Sequence, residues 1–105
     1  MQIREISLKE LYEAYELVKK IYDISYELFE DRIYEMRESY KMIGVFDKNR
    51  LFAYAGVEIK TTLKEGRHIR VYEITAVDKK SLKELQEYLK DYVKISMAEK
   101  LVYDF

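Results

Sequence analysis

Two capping boxes, Ser7-Leu-Lys-Glu10 and Ser81-Leu-Lys-Glu84, bracket a central stretch rich in β-branched and aromatic residues, and this arrangement leaves the chain few folds to choose from. In each box the Ser hydroxyl can accept from the third backbone N–H of a helix while the Glu carboxylate reaches back to the cap's own N–H. A helix is therefore predicted from Leu8 to Tyr22, with Leu8, Leu11, Tyr12, Tyr15, Val18 and Tyr22 recurring every three or four residues. The second box opens a helix with Leu82, Leu85, Tyr88, Leu89, Tyr92 and Val93 on its buried stripe. A further helical pattern starts near Ser25 and carries Tyr26, Phe29, Ile33, Met36 and Tyr40 on one side.

Between the helices the period changes from 3.6 to 2. Strands are predicted at Lys41 to Phe46 and Leu51 to Thr62, joined by the turn formers of Asp47-Lys-Asn-Arg50, and at Arg67 to Val77 after Gly66, which can take positive φ. A short first strand, Gln2 to Ile6, and a last one, Lys100 to Phe105, complete the order β-α-α-β-β-β-α-β. The last strand follows a crossover helix and should run parallel to its predecessor. In the Arg67–Val77 run, Ile69, Val71, Glu73, Thr75 and Val77 face one way, and Tyr72, Ile74 and Ala76 the other. The predicted fold is α/β, α+β-like: one mixed, mostly antiparallel sheet with helices on both faces, a single domain over residues 1–105.

Composition narrows the chemistry. The chain lacks Cys and has one His, His68, which excludes disulfides, thiol nucleophiles, His-based triads and multi-histidine metal centres within one subunit; no metal site is expected. Its 19 basic and 20 acidic side chains nearly cancel, which argues against a nucleic-acid partner. Neither a signal peptide nor a run of 18 apolar residues is present, so a soluble, cytoplasmic protein with no membrane partner is expected. Dense Lys and Glu with few amides fit a thermophile.

Glu73 is the sharpest single residue. It falls mid-strand among apolar neighbours, where a partly desolvated carboxylate has a raised pKa suited to accepting an amine proton. The competing readings are a carboxylate paired with Arg70 or Lys60, or one hydrogen-bonded by nearby Tyr. Lys79, Lys80 and Lys83 give the second capping box a positive field that could hold a phosphate, although Ser81 and Glu84 would compete for the same N–H groups. Eleven residues are Tyr. Tyr12, Tyr15, Tyr22, Tyr26, Tyr40, Tyr88 and Tyr92 fall on core stripes, and Tyr54, Tyr72 and Tyr103 could form a stacking platform if they share a face. Lys60, Lys64, Arg67, His68 and Arg70 make a basic hairpin, with His68 expected at the surface.

The element order resembles the GNAT superfamily of N-acyltransferases. Leu51-Phe-Ala-Tyr-Ala-Gly-Val-Glu-Ile59 is similar to the family's third strand, and Val71-Tyr-Glu-Ile-Thr-Ala-Val-Asp78 to the fourth, which feeds the cofactor loop. The resemblance implies that the fourth and fifth strands splay and admit the pantetheine arm of an acyl-CoA, with the pyrophosphate on the following helix N-terminus. Carried onto this sequence, the arm would lie along the main chain of Ala76, Val77 and Asp78, and the phosphates at Lys79, Lys80, Ser81 and Leu82. A backbone N–H near Val77 would polarise the thioester carbonyl. Glu73 would be the general base, and Tyr103 a donor to the departing thiolate.

The sequence departs from the family pattern in its Asp78-Lys-Lys-Ser81 corner, which is short and lacks the family's glycines, and in stopping after the fifth strand. Acetyl-CoA or CoA is thus the expected small-molecule substrate, none of it held covalently. The unpaired edge of the last strand, with Leu101, Val102, Tyr103 and Phe105, suggests a homodimer. The competing reading is a non-catalytic, dimeric protein-interaction module on the same scaffold; a small RNA-binding domain is a third.

Overall fold

The computed structural model describes all residues, Met1–Phe105. β1 (Gln2–Glu5), β2 (Tyr40–Asp47), β3 (Arg50–Thr62), β4 (Gly66–Ala76) and β5 (Lys100–Tyr103) lie side by side in chain order. The first four pair antiparallel, and β5 runs parallel to β4 after a crossover through α3 (Lys79–Ile95). The β2–β3 turn is Lys48-Asn49, both at positive φ, the twist that suits a two-residue hairpin. No helix is long and apolar enough to cross a membrane.

The sheet separates two cores. On one face α1 (Leu11–Val18) and α2 (Tyr26–Met36) bury Leu11, Leu17, Phe29 and Ile33 against Met42, Phe46 and Tyr54. On the other, Leu85 and Leu89 of α3 pack on Ile43, Val45, Val57, Ile69 and Val71. Alternation along β2 supplies both: Met42 and Phe46 point one way, Ile43 and Val45 the other.

Helix ends differ from the sequence reading. The first box does close, with Glu10 accepting from the Ser7 N–H at 2.9 Å, but the first turn, Leu8–Glu10, is 3-10 and α1 stops at Val18. Tyr22 therefore sits in the connection to α2, and Tyr40 opens β2 instead of closing a helix. Tyr12 is 60% exposed and Tyr22 42%, so neither is a core residue. The second box does not form. Asp78 caps α3, its carboxylate accepting from the Ser81 N–H at 2.8 Å, because Asp one turn earlier reaches the same donor. Ser81 is carried inside the helix, fully buried, with no partner for its hydroxyl.

β4 holds the most consequential difference. Glu73 pairs with Gly56 but Val71 pairs with Val57, so Tyr72 is an extra residue, a β-bulge. A bulge turns two consecutive side chains to one face. Tyr72 and Glu73 both reach Tyr40, on the α1–α2 side, while Ile69, Val71, Ile74 and Ala76 pack on the α3 side. The strict alternation expected for this strand fails at that step. His68, expected at the surface, is fully buried, with Nδ1 2.9 Å from the Gly66 carbonyl oxygen. The basic hairpin is dispersed as well, since the Arg67 guanidinium donates to the Ser96 carbonyl and Arg70 pairs with Asp104.

The capping assignment is testable by urea unfolding. Asp78→Ala should lower the midpoint, whereas Ser81→Ala, which removes an unpartnered buried hydroxyl, should leave it unchanged or raise it.

Candidate active site

The pairing of β4 with β5 is short. It runs from His68–Lys100 to Val71–Tyr103 and ends with the Asp104 N–H donating to the Val71 carbonyl at 2.9 Å. β4 then continues to Ala76 with nothing paired on that side. Between the separated ends lies a cavity of about 530 Å³, walled by Ile74 and Ala76, Leu82 and Gln86 of α3, and Tyr103 and Phe105.

Backbone hydrogen bonds decide which donors the gap offers. The Val77 N–H donates to the Phe52 carbonyl at 2.9 Å on the β3 side, so it is not free to polarise anything, against the sequence expectation. Antiparallel ladders alternate, so the N–H and C=O of Ala76 and Ile74, one and three residues away, point the opposite way, into the gap. At the α3 corner the Asp78 carboxylate takes the Ser81 N–H, which removes that amide from the donors proposed for phosphate. The N–H groups of Lys79 and Lys80 have no partner, and both side chains are exposed. Leu82 lines the gap.

Glu73 lies two residues beyond the last β4–β5 pair, and none of the cations weighed for it from sequence is its partner. It is held by phenols. Tyr22 donates to Oε1 at 2.9 Å and Tyr40 to Oε2 at 2.5 Å, and the Tyr40 hydroxyl is 2.6 Å from that of fully buried Tyr54. Burial pushes the Glu73 carboxyl above its ordinary value, and the two phenols pull it partly back. The same carboxylate and burial push the Tyr22 phenol up to about 12 and Tyr40 well above its usual range. Gly56 makes the meeting possible. A Cβ there would collide with the Tyr40 hydroxyl and the Glu73 carboxylate, so this position must stay bare for the two to touch.

Three spaces meet at Glu73. One of about 240 Å³ runs between α1, α2 and the sheet, and another of about 390 Å³ opens past Tyr72 and Glu58. A third, about 180 Å³, is bounded by Tyr22, Tyr72, Glu73, Ile74 and Phe105, and through Ile74 and Phe105 it adjoins the β4–β5 gap. Glu73 thus stands on the α1–α2 side of the sheet, in a space that shares Ile74 and Phe105 with the gap without lining the gap itself. Tyr103 approaches from the α3 side, exposed, its phenol raised by partial desolvation and therefore protonated at neutral pH. The stacking platform does not form: Tyr54 is enclosed beneath Tyr40, Tyr72 donates to Glu58 at 2.5 Å, and Tyr103 packs edge-on against Phe105. Of the readings weighed for Glu73, the one with Tyr donors holds, although the sequence did not single out Tyr22 and Tyr40 as those donors or Gly56 as the bare floor beneath them. No group of three His, Asp or Glu is placed to hold a metal ion.

No protein-family model and no curated protein matches this sequence. Solved structures do match its fold. A GNAT family acetyltransferase from Staphylococcus aureus superposes with a TM-score of 0.86 at 10% identity, covering 99% of this chain and 85% of that one. A ribosomal-protein-alanine N-acetyltransferase from Brucella melitensis biovar Abortus gives 0.83 at 17% identity, covering 100% and 80%. An aminoglycoside N-acetyltransferase solved in complex with CoA gives 0.81 at 10%, covering 99% and 76%.

The raised Glu73 carboxyl has a consequence for stability. As pH rises past the ordinary carboxylate value of 4.5, the unfolded chain ionises Glu73 before the folded one does, so the folded state loses stability across that interval. Glu73→Gln should therefore raise the thermal midpoint at pH 7 to 8. The gain should vanish below pH 4.5, as followed by circular dichroism melts across pH.

Proposed function

This chain has the GNAT N-acetyltransferase fold, and we propose that it binds an acyl-CoA and transfers the acyl group to an amine. The observation that carries the reading is the early parting of β4 and β5 beside a desolvated carboxylate, because a thin thioester tail can enter only where two neighbouring strands leave each other unpaired. The inward-facing main chain of Ile74 and Ala76 offers such a tail a strand to pair with. The unpartnered Lys79 and Lys80 amides, with their two ammonium groups, offer its anionic end a helix N-terminus.

In the proposed reaction the neutral amine attacks the thioester carbonyl and forms the C–N bond, and the proton it sheds goes to the Glu73 carboxylate. The C–S bond then breaks, the thiolate takes a proton from the Tyr103 phenol, and both side chains return to their starting states by exchange with solvent. A carboxyl raised by burial is the stronger base once ionised. Tyr103, on the α3 side of the gap, faces the leaving group while Glu73 faces the amine. The exposed Tyr103 and Phe105 beside the outer edge of β5 support a homodimer that covers this edge.

Acetyl-CoA and CoA should raise the thermal midpoint through linkage to binding, and no shift at millimolar ligand would leave the interaction-module reading in its place. Glu73→Gln should keep that shift yet lose about 10²- to 10⁴-fold in acyl transfer, followed by thiol release. Light scattering on a sizing column should give twice the mass of one chain, and a stable monomer would remove the dimer.

A further inference from the structure

The 240 Å³ space between α1, α2 and the sheet has an unusual division of chemistry along its wall. Most of it is apolar, built from Val18, Ile24, Phe29, Ile33 and Met36, and the polar groups are gathered at one end, where Glu73 meets the phenols of Tyr22, Tyr40 and Tyr54. Glu73 is the only carboxylate residue on this wall, and Arg32 is the one other charged residue that lines it. The wall can receive one amine at Glu73. It offers no second anion to a polyamine.

The neighbouring 390 Å³ space invites the opposite reading, since Glu58, Glu73 and Asp104 all border it. Two of those three are already engaged, Glu58 accepting from the Tyr72 phenol and Asp104 paired with Arg70. Glu73 is engaged as well, but one of its two phenol donors, Tyr22, stands outside every helix and strand. Tyr22, which donates to Oε1, lies in the α1–α2 connection and is 42% exposed, so its phenol marks where an incoming N–H would donate. Size sets the remaining limit. Drug-sized ligands fill clefts of roughly 300 Å³ or more, so this one takes a smaller body.

We propose that the acceptor is a primary amine on a compact apolar or aromatic body, its body in the α1–α2 cavity and its nitrogen on Glu73 in the place of the Tyr22 phenol. This inference rests on the acyl-transfer reading for its chemistry, but the cavity's preference for an apolar amine can be measured without turnover.

The experiment compares 2-phenylethylamine with spermidine and glucosamine on the full chain. With acetyl-CoA present, kcat/KM for 2-phenylethylamine should exceed both others at least tenfold. Met36→Trp, which fills the cavity from its partly exposed rim, should raise KM for 2-phenylethylamine at least tenfold while leaving the CoA-induced thermal shift unchanged. Separately, 2-phenylethylamine without any CoA should shift the methyl resonances of Ile24 and Ile33, and spermidine should not. Equal or better turnover of spermidine would overturn the proposal and move the acceptor to the Glu58–Asp104 side. Unmoved Ile24 and Ile33 resonances would overturn it too, whatever the turnover. Absence of a CoA shift and of all turnover, with those resonances still moved by 2-phenylethylamine, would instead sink acyl transfer and leave the apolar-amine site standing.

Discussion

One extra residue in β4, Tyr72 set against the Gly56–Val57 step, turns two consecutive side chains toward α1 and α2 in a strand that would otherwise alternate, and the arrangement of the site follows from it. Without the bulge, a strand keeping Ile69 and Val71 on the α3 core would send Glu73 there too, among Leu85, Leu89 and Val57, with no hydroxyl to meet it. With it, Glu73 lands on bare Gly56 beside Tyr40 and Tyr54. The bulge lies where β4 leaves β5: Val71 is the last β4 residue paired with β5, and Tyr72 is the next. One local irregularity thus coincides with both the placement of the carboxylate and the opening of the gap.

The phenols around Glu73 explain how a carboxylate is kept in such a place without a cation. Each of its oxygens accepts one hydrogen bond, from Tyr22 and from Tyr40, so the ionised form is partly stabilised while burial still raises its proton affinity. A Lys or Arg partner would have pushed the carboxyl the other way, as Arg4 does to Glu10, held down to about 2. On the acyl-transfer reading, neutral donors leave the carboxylate basic enough to take the proton that an amine sheds. Tyr54, buried beneath Tyr40, fixes that phenol from behind and leaves Tyr22 as the exchangeable partner.

Much of this was legible in the residues. The element order and the parallel last strand follow from periodicity, caps and the crossover rule, which depend on short spacings along the chain. What escaped depends on contacts between distant residues. Nothing local distinguishes Tyr22 or Tyr40 from core tyrosines, because their hydroxyls find Glu73 across 51 and 33 residues of sequence. A bulge leaves no mark in a β-branched run beyond a glycine on the opposite strand, and Gly56 was the available signal. His68 reads as a surface residue among charged neighbours, yet it lies where β4 pairs with β5 and its ring reaches back to the Gly66 carbonyl, contacts no local spacing announces. The second capping box failed for a local reason, since Asp78 three residues earlier is the better-placed acceptor for the same amide.

That substitution of caps bears on how an anionic substrate could be held. Asp78 takes one N–H of the α3 N-terminus and leaves a carboxylate beside the two amides that stay free. The Lys79 and Lys80 ammonium groups outnumber it, so the corner keeps a net positive field, but an exposed, salt-screened one with no glycine to bring backbone close around a phosphate. Binding energy for a thioester then has to come mainly from the gap, where the Ile74 and Ala76 backbone is unpaired and the walls are apolar. On the acyl-transfer reading, the tail of such a substrate, more than its phosphates, would supply the affinity.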